Sequence, residues 1–255
     1  MDILYLHKKD KHCESLRFSL RGLNDYGINV DRVFICGYSP EWASEEVIKI
    51  PYTPDPNLPK DKNIFKQILY AVENTDIGIH HNGEFLISMD DHFYFRNTDF
   101  NNYPFYVKDY PQRAYRYLLP NSLDYTKMSI DYQQILINTY WFCLNHGLLT
   151  LNTCPHRNMH MNRYLLSEAK TLCDEIICSD HSIEGICTML NYYLTKYPKR
   201  WQIILDFKND NIQKIKKYIQ DKNTHVFSTN DFELDSDIHK FLKIIYPNKS
   251  KYEKT

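Results

Sequence analysis

At 255 residues, with 43% hydrophobic and 25% charged side chains, the chain can bury a full globular core and lacks the composition of a disordered or fibrous protein. Only seven glycines are present, with no Walker or dinucleotide fingerprint, which argues against a glycine-rich phosphate loop. A formal net charge of −1 argues against tight binding to duplex DNA, and seven cysteines without a C-x-x-C pair predict a reducing compartment.

The opening MDILYLHKKDKHCES breaks into charges before any long apolar run, so it does not read as a signal peptide. No run approaches a membrane span, and a cytoplasmic location is expected. Ile3 to Leu6 is a short apolar run, followed by the polar stretch His7 to His12. Leu16, Leu20 and Leu23 then recur at helical spacing and predict a helix over 13–24, with Gly27 as its stop. Val33 to Cys36 reads as a buried strand closed by Gly37, and Val47 to Ile50 as another. This β-α-β opening predicts a mainly parallel α/β sheet flanked by helices. PYTPDPNLPK is an extended loop, because proline lacks a donor and resists helix. Ile64, Ile68, Leu69 and Val72 mark a helix over 61–73, and Phe85 to Met89 a strand.

That strand ends in the most informative stretch, EFLISMDDHFYF. Ligands of open α/β sheets bind beyond the carboxyl ends of strands, which is where Asp90 and Asp91 fall. Two adjacent carboxylates repel and call for a counter-charge. Hard oxygen donors favour Mg²⁺ or Mn²⁺, with His92 a further, softer candidate ligand. Residues 98–128, rich in Tyr, Pro and Asn, predict irregular structure. Within them YPFYVKDYPQRAYRY interleaves aromatics with Lys108, Arg113 and Arg116, suiting either a stacking surface or ordinary loop packing.

The second half reads as mostly helical. Helices are expected around Ile135–Leu144, Leu165–Ile176, Ile183–Leu194, Ile212–Ile219 and Ile238–Ile245, with a strand over 201–207. Lys214, Lys216 and Lys217 read as a solvated helix face, and the charged tail after Pro247 as a fraying end. His156 and His160 stand four apart, a spacing that shares one face if the segment is helical, and His156 is a candidate metal ligand. Arg17 and Arg21, one turn apart, are candidates for a nucleotide phosphate, as are Lys62 and Asn63 at the start of a helix. Each has a structural alternative: surface arginines in the first case, a helix cap in the second. Asp174, Asp180, Glu168 and Glu184 are open candidates for a general base.

The stretches ESLRFSLRGL, RVFICGYSPEW, KDKNIFKQILYAVEN, EFLISMDDHFYF, PHRNMHMNRYLL and YPNKSKYE resemble, in order and spacing, nucleotide-sugar glycosyltransferases of the GT-A type. More closely, they look like a phage and bacterial group related to the Stealth sugar-phosphate transferases of capsule synthesis. The resemblance implies one glycosyltransferase domain over 1–255, with a nucleotide-sugar-binding part over 1–97 and an acceptor-side part over 98–255. It implies that Asp90 and Asp91 form the metal and diphosphate motif, and that His156 lies after the acceptor region. It also implies a nucleotide-diphosphate sugar donor and a hydroxyl acceptor on a modified phage DNA base or a surface polysaccharide. Sugar-phosphate transfer, or a non-catalytic carbohydrate- or nucleic-acid-binding module on the same fold, are the alternatives. The Stealth amino-terminal signature is absent from this chain.

Overall fold

The computed structural model describes residues 1–9, 12–26, 29–100, 105–107, 130–151, 158–198, 201–203, 208–222 and 224–254. Gly27, His156, Lys108, Arg113 and Arg116 lie outside these. In chain order come β1 (Asp2–His7), α1 (Glu14–Asp25), β2 (Val33–Gly37), β3 (Val47–Pro51), α2 (Lys60–Asn74), a 3-10 turn (Ile79–His81), β4 (Glu84–Met89) and β5 (His92–Tyr94). There follow β6 (Phe105–Val107), α3 (Ile130–Asn145), β7 (Met159–Asn162), α4 (Arg163–Glu168), α5 (Lys170–Cys178) and α6 (Gly185–Lys196). The last elements are β8 (Trp201–Ile203), α7 (Ile212–Gln220), β9 (Val226–Ser228) and α8 (Asp237–Ile245).

Among the described residues the main sheet has five strands in the order β3-β2-β1-β4-β7, parallel except for β7, which runs antiparallel to β4. This is the mainly parallel α/β architecture expected from the sequence. Successive side chains of a strand face opposite ways, and two cores result. Leu4, Leu6, Phe34, Cys36, Phe85 and Ile87 pack on one face with Phe65 and Ile68 of α2, Ile176 of α5 and Leu190 of α6. Ile3, Tyr5, Val33, Ile35 and Leu86 pack on the other with Leu16, Leu20 and Leu23 of α1. Both faces of β1 are covered, so even Asp2 is buried. Its charge is met by Arg32 Nη2 at 2.6 Å and the Gly78 N–H at 2.8 Å.

Two further strand pairs lie outside this sheet: β5 with β9, antiparallel, and β6 with β8, parallel. The β5–β9 pair carries a third core, where Phe18, Phe93, Phe95, Ile215, Phe227, Leu242 and Tyr246 meet. Helix α1 reaches β5 through Gly22, where a Cβ would come within 2.7 Å of the Tyr94 carbonyl oxygen.

Several expectations change. The tail after Pro247 does not fray: Tyr252 and Glu253 are buried, and the Lys254 N–H donates to the Trp42 carbonyl at 2.7 Å. Its charges were the signal for fraying, but Glu253 finds Arg21 across the molecule. His160 sits in strand β7 opposite Leu86, so it shares no helix face with position 156. The helix expected over Leu165–Ile176 is broken at Ala169 into α4 and α5. A strand, Phe105–Val107, lies within the stretch expected to be irregular, and the strand expected over 201–207 is described only as Trp201–Ile203.

Candidate active site

Strands β1, β2 and β4 end side by side, with His7 opposite Gly37 and Leu6 opposite Met89. Gly37 has φ +114°, and a Cβ there would meet the His7 carbonyl oxygen at 2.0 Å, so only glycine allows this approach. The Tyr38 N–H then donates to that same oxygen at 3.0 Å. Beyond Met89, Asp90 and Asp91 form the two-residue turn into β5. The turn thus leaves the main sheet at its carboxyl edge and enters the β5–β9 pair.

The two carboxylates are held from opposite sides. Asp90 Oδ2 lies 2.7 Å from Nδ1 of His7, whose side chain is fully buried. Asp91 Oδ2 accepts from Ser228 Oγ at 2.8 Å and lies 3.4 Å from Lys208 Nζ. Ser228 is directly opposite His92 in the β5–β9 ladder, and Lys208 bridges to Ser228 in turn. His92 is buried; its Nδ1 accepts from the Met89 N–H at 3.3 Å, and its Nε2 lies 3.9 Å from Asp91 Oδ1. That network puts the imidazole proton on Nε2, facing Asp91.

A line of buried polar groups supports the turn from behind. Asn158 Nδ2 donates to the Tyr94 hydroxyl at 2.6 Å, which is 2.9 Å from Ser88 Oγ, itself 3.3 Å from His92 Nδ1. On the α1 side, Tyr5 Oη is 2.8 Å from Ser19 Oγ, which donates to the His92 carbonyl. Burial pushes the Tyr5 and Tyr94 hydroxyls up, so both stay protonated and bonded. Asn158 of PHRNMHMNRYLL thus bonds to Tyr94 of β5; His156 itself is outside the described residues.

The other candidates have different partners. Arg21 grips Glu253 with two bonds, Nε to Oε1 at 2.8 Å and Nη2 to Oε2 at 2.9 Å. Arg17 pairs with Glu14 and with Glu253 Oε2 at 3.4 Å, and lies over the Trp42 ring. Lys62, buried, donates to the Ser179 carbonyl. Asn63 Nδ2 donates to the carbonyls of Asp55 at 2.7 Å and Leu58 at 2.9 Å, closing the proline-rich loop. His7, Lys208 and Ser228 go to the acidic turn instead, and nothing local in the sequence marks them: their meeting depends on strand order and on the β5–β9 pairing. Of the open carboxylates, Glu168 accepts from the Tyr192 hydroxyl at 3.0 Å, and Glu184 opens α6, its N–H donating to Thr139 Oγ1 at 2.8 Å.

The carboxylate pair suits a hard divalent cation that draws its other ligands from water and substrate phosphate, as Mg²⁺ and Mn²⁺ do. Among the described residues no three His, Cys, Asp or Glu side chains converge on one point. No described helix is long and apolar enough to cross a membrane. Cys36 and Cys173 are buried free thiols pushed up to about 12 by burial, which makes them inert.

No protein-family model and no curated protein matches the sequence. Several solved structures of glycosyltransferases align along nearly the whole chain. One is a glycosyltransferase involved in the glycosylation of the major capsid of PBCV-1, at 10% identity and TM-score 0.44, covering 97% of this chain and 100% of that one. The galactosyltransferase LgtC, solved with donor and acceptor sugar analogs, aligns at 11% identity and TM-score 0.47, over 98% of this chain and 96% of its own. Mouse xyloside xylosyltransferase 1, in its apo form, aligns at 11% identity and TM-score 0.40, over 90% and 97%.

Proposed function

We propose that this chain is a metal-dependent glycosyltransferase of GT-A-like fold. It would move a sugar from a nucleotide-diphosphate sugar to an acceptor hydroxyl. The observation that carries the reading is the position of Asp90 and Asp91: beyond the carboxyl end of β4, beside the ends of β1 and β2, each fixed by a separate partner. Such preorganised charge suits a diphosphate leaving group. When bound, Mn²⁺ or Mg²⁺ would offset the negative charge that develops on the departing diphosphate. The chain's own part is to hold both carboxylates still, with His7 orienting Asp90, and Ser228 and Lys208 orienting Asp91. Arg17, Arg21, Lys62 and Asn63, the candidates for the nucleotide phosphate, carry less of this reading, since their polar atoms already serve the protein.

A surface polysaccharide is the favoured acceptor over a modified DNA base, because a net charge of −1 offers little for a duplex. The inert buried thiols fit work in a reducing cytoplasm. The test is a screen of nucleotide sugars for hydrolysis and transfer, with Mn²⁺ and with chelator. Turnover should need the ion and release a nucleoside diphosphate. Asp91→Asn should lower the rate about 100-fold or more while leaving the melting temperature within a few degrees. Release of a nucleoside monophosphate would point to sugar-phosphate transfer. Turnover in chelator equal to that with Mn²⁺, or an unimpaired Asp91→Asn, would refute the mechanism.

A further inference from the structure

Lys208 has no role in the sequence motifs, yet its ammonium lies 3.4 Å from Asp91 Oδ2. It comes from a segment 117 residues away, and its place is set by backbone, not by a loose side chain. Lys208 bridges to Ser228, and the Asn209 N–H donates to the Ser228 carbonyl at 2.9 Å. Ser228 is itself buried and bonded to Asp91. The Lys208 side chain is 28% exposed and that of Asp91 19%, so the pair lies at the boundary that a ligand can reach. An ammonium has three donors and no acceptor, so it can hold a carboxylate and a phosphate oxygen at once. Without such a cation, two adjacent aspartates would repel a diphosphate.

We infer that Lys208 is a built-in cation of the site. It offsets the charge of Asp91 and contacts the diphosphate of the donor, so that part of the diphosphate's affinity survives removal of divalent ions. The inference rests on the reading of the acidic turn as a diphosphate site. A structural ion pair between the same groups makes a different prediction. If the pair only braces the fold, breaking it from either end has the same effect. If Lys208 binds phosphate, the two ends act in opposite directions: Lys208→Met removes the phosphate's partner, whereas Asp91→Asn removes a repelling charge and leaves the lysine in place.

Calorimetric titration of the full chain with inorganic pyrophosphate, in excess chelator and separately with Mn²⁺, distinguishes them. In chelator the wild type should bind. Lys208→Met should bind about tenfold or more weakly, Lys208→Arg within about threefold, and Asp91→Asn as tightly as wild type or more so. Thermal melts establish that each variant is folded. Equal binding by Lys208→Met and wild type would overturn the inference. So would equal losses in Lys208→Met and Asp91→Asn, or wild-type binding with Mn²⁺ that vanishes in chelator. Absence of pyrophosphate binding under both conditions would remove the functional reading along with it.

Discussion

The imidazole of His7 is wholly buried, and Nδ1 meets Asp90 while Nε2 has no hydrogen-bond partner among the described residues. A buried polar ring placed so has one evident duty, to fix the carboxylate's rotamer. Groups that orient a metal-binding carboxylate are commonly worth about 10- to 100-fold in metal affinity. His7→Gln, which keeps a nitrogen donor, should therefore weaken Mn²⁺ binding by less than His7→Leu, which should weaken it about 10-fold or more. Electron paramagnetic titration of free Mn²⁺ reads this without turnover. The residue scale also shows what the sequence could carry. The place of Asp90 and Asp91 just past a strand was legible because a strand pattern and a charge pair meet at one point of the chain. His7 follows an apolar run as an unremarked polar residue, and Ser228 and Lys208 lie far along the chain. Arg17 and Arg21 were visible as paired cations, but their anion, Glu253, is 232 residues from Arg21. Charge alone did not tell an internal partner from a ligand.

Among the elements, α1 is held at two points with opposite chemistry. At Gly22 it approaches β5 so closely that a methyl group would strike the Tyr94 carbonyl. Gly22→Ala should cost about 1–3 kcal/mol in chemical denaturation, despite alanine's better helix propensity, because α1 must lift from β5. At Arg21 the same helix is fastened to the tail. Burial opposes the charge of Glu253, but Arg21, the Ser250 N–H and Arg17 together hold its carboxyl below the ordinary 4.5. A depressed carboxylate contributes stability that is fully present above its unfolded pKa and is lost as pH falls through the folded one. Acid melts should thus lose stability below about pH 4.5, and Glu253→Gln should flatten that loss while lowering stability at neutral pH by roughly 2–4 kcal/mol. Elements with a clear period were legible: β1, β2, β4, α1, α2, α7 and α8 fall where apolar spacing puts them. Short strands such as β7 and β9 were not, since three or four residues carry too little pattern and form only where a partner strand awaits them.

At the scale of the whole molecule, a ligand that binds only the folded state stabilises it by mass action, by about 2.7 kcal/mol at a hundred times its dissociation constant. For a chain of this size that is a rise of roughly 5–10 °C. A nucleoside diphosphate with Mn²⁺ should give such a shift in a thermal scan, and the Asp90→Asn, Asp91→Asn double variant should give about none; equal shifts in both proteins would place the nucleotide elsewhere. Synthesis runs from the amino terminus, and the main sheet has all its strands once Asn162 has emerged. By then His7 and Asp90 have been made, but Lys208 and Ser228, which attend Asp91, have not. A chain ending before residue 208 would thus keep both aspartates and lose the two groups that hold Asp91 from the β5–β9 side.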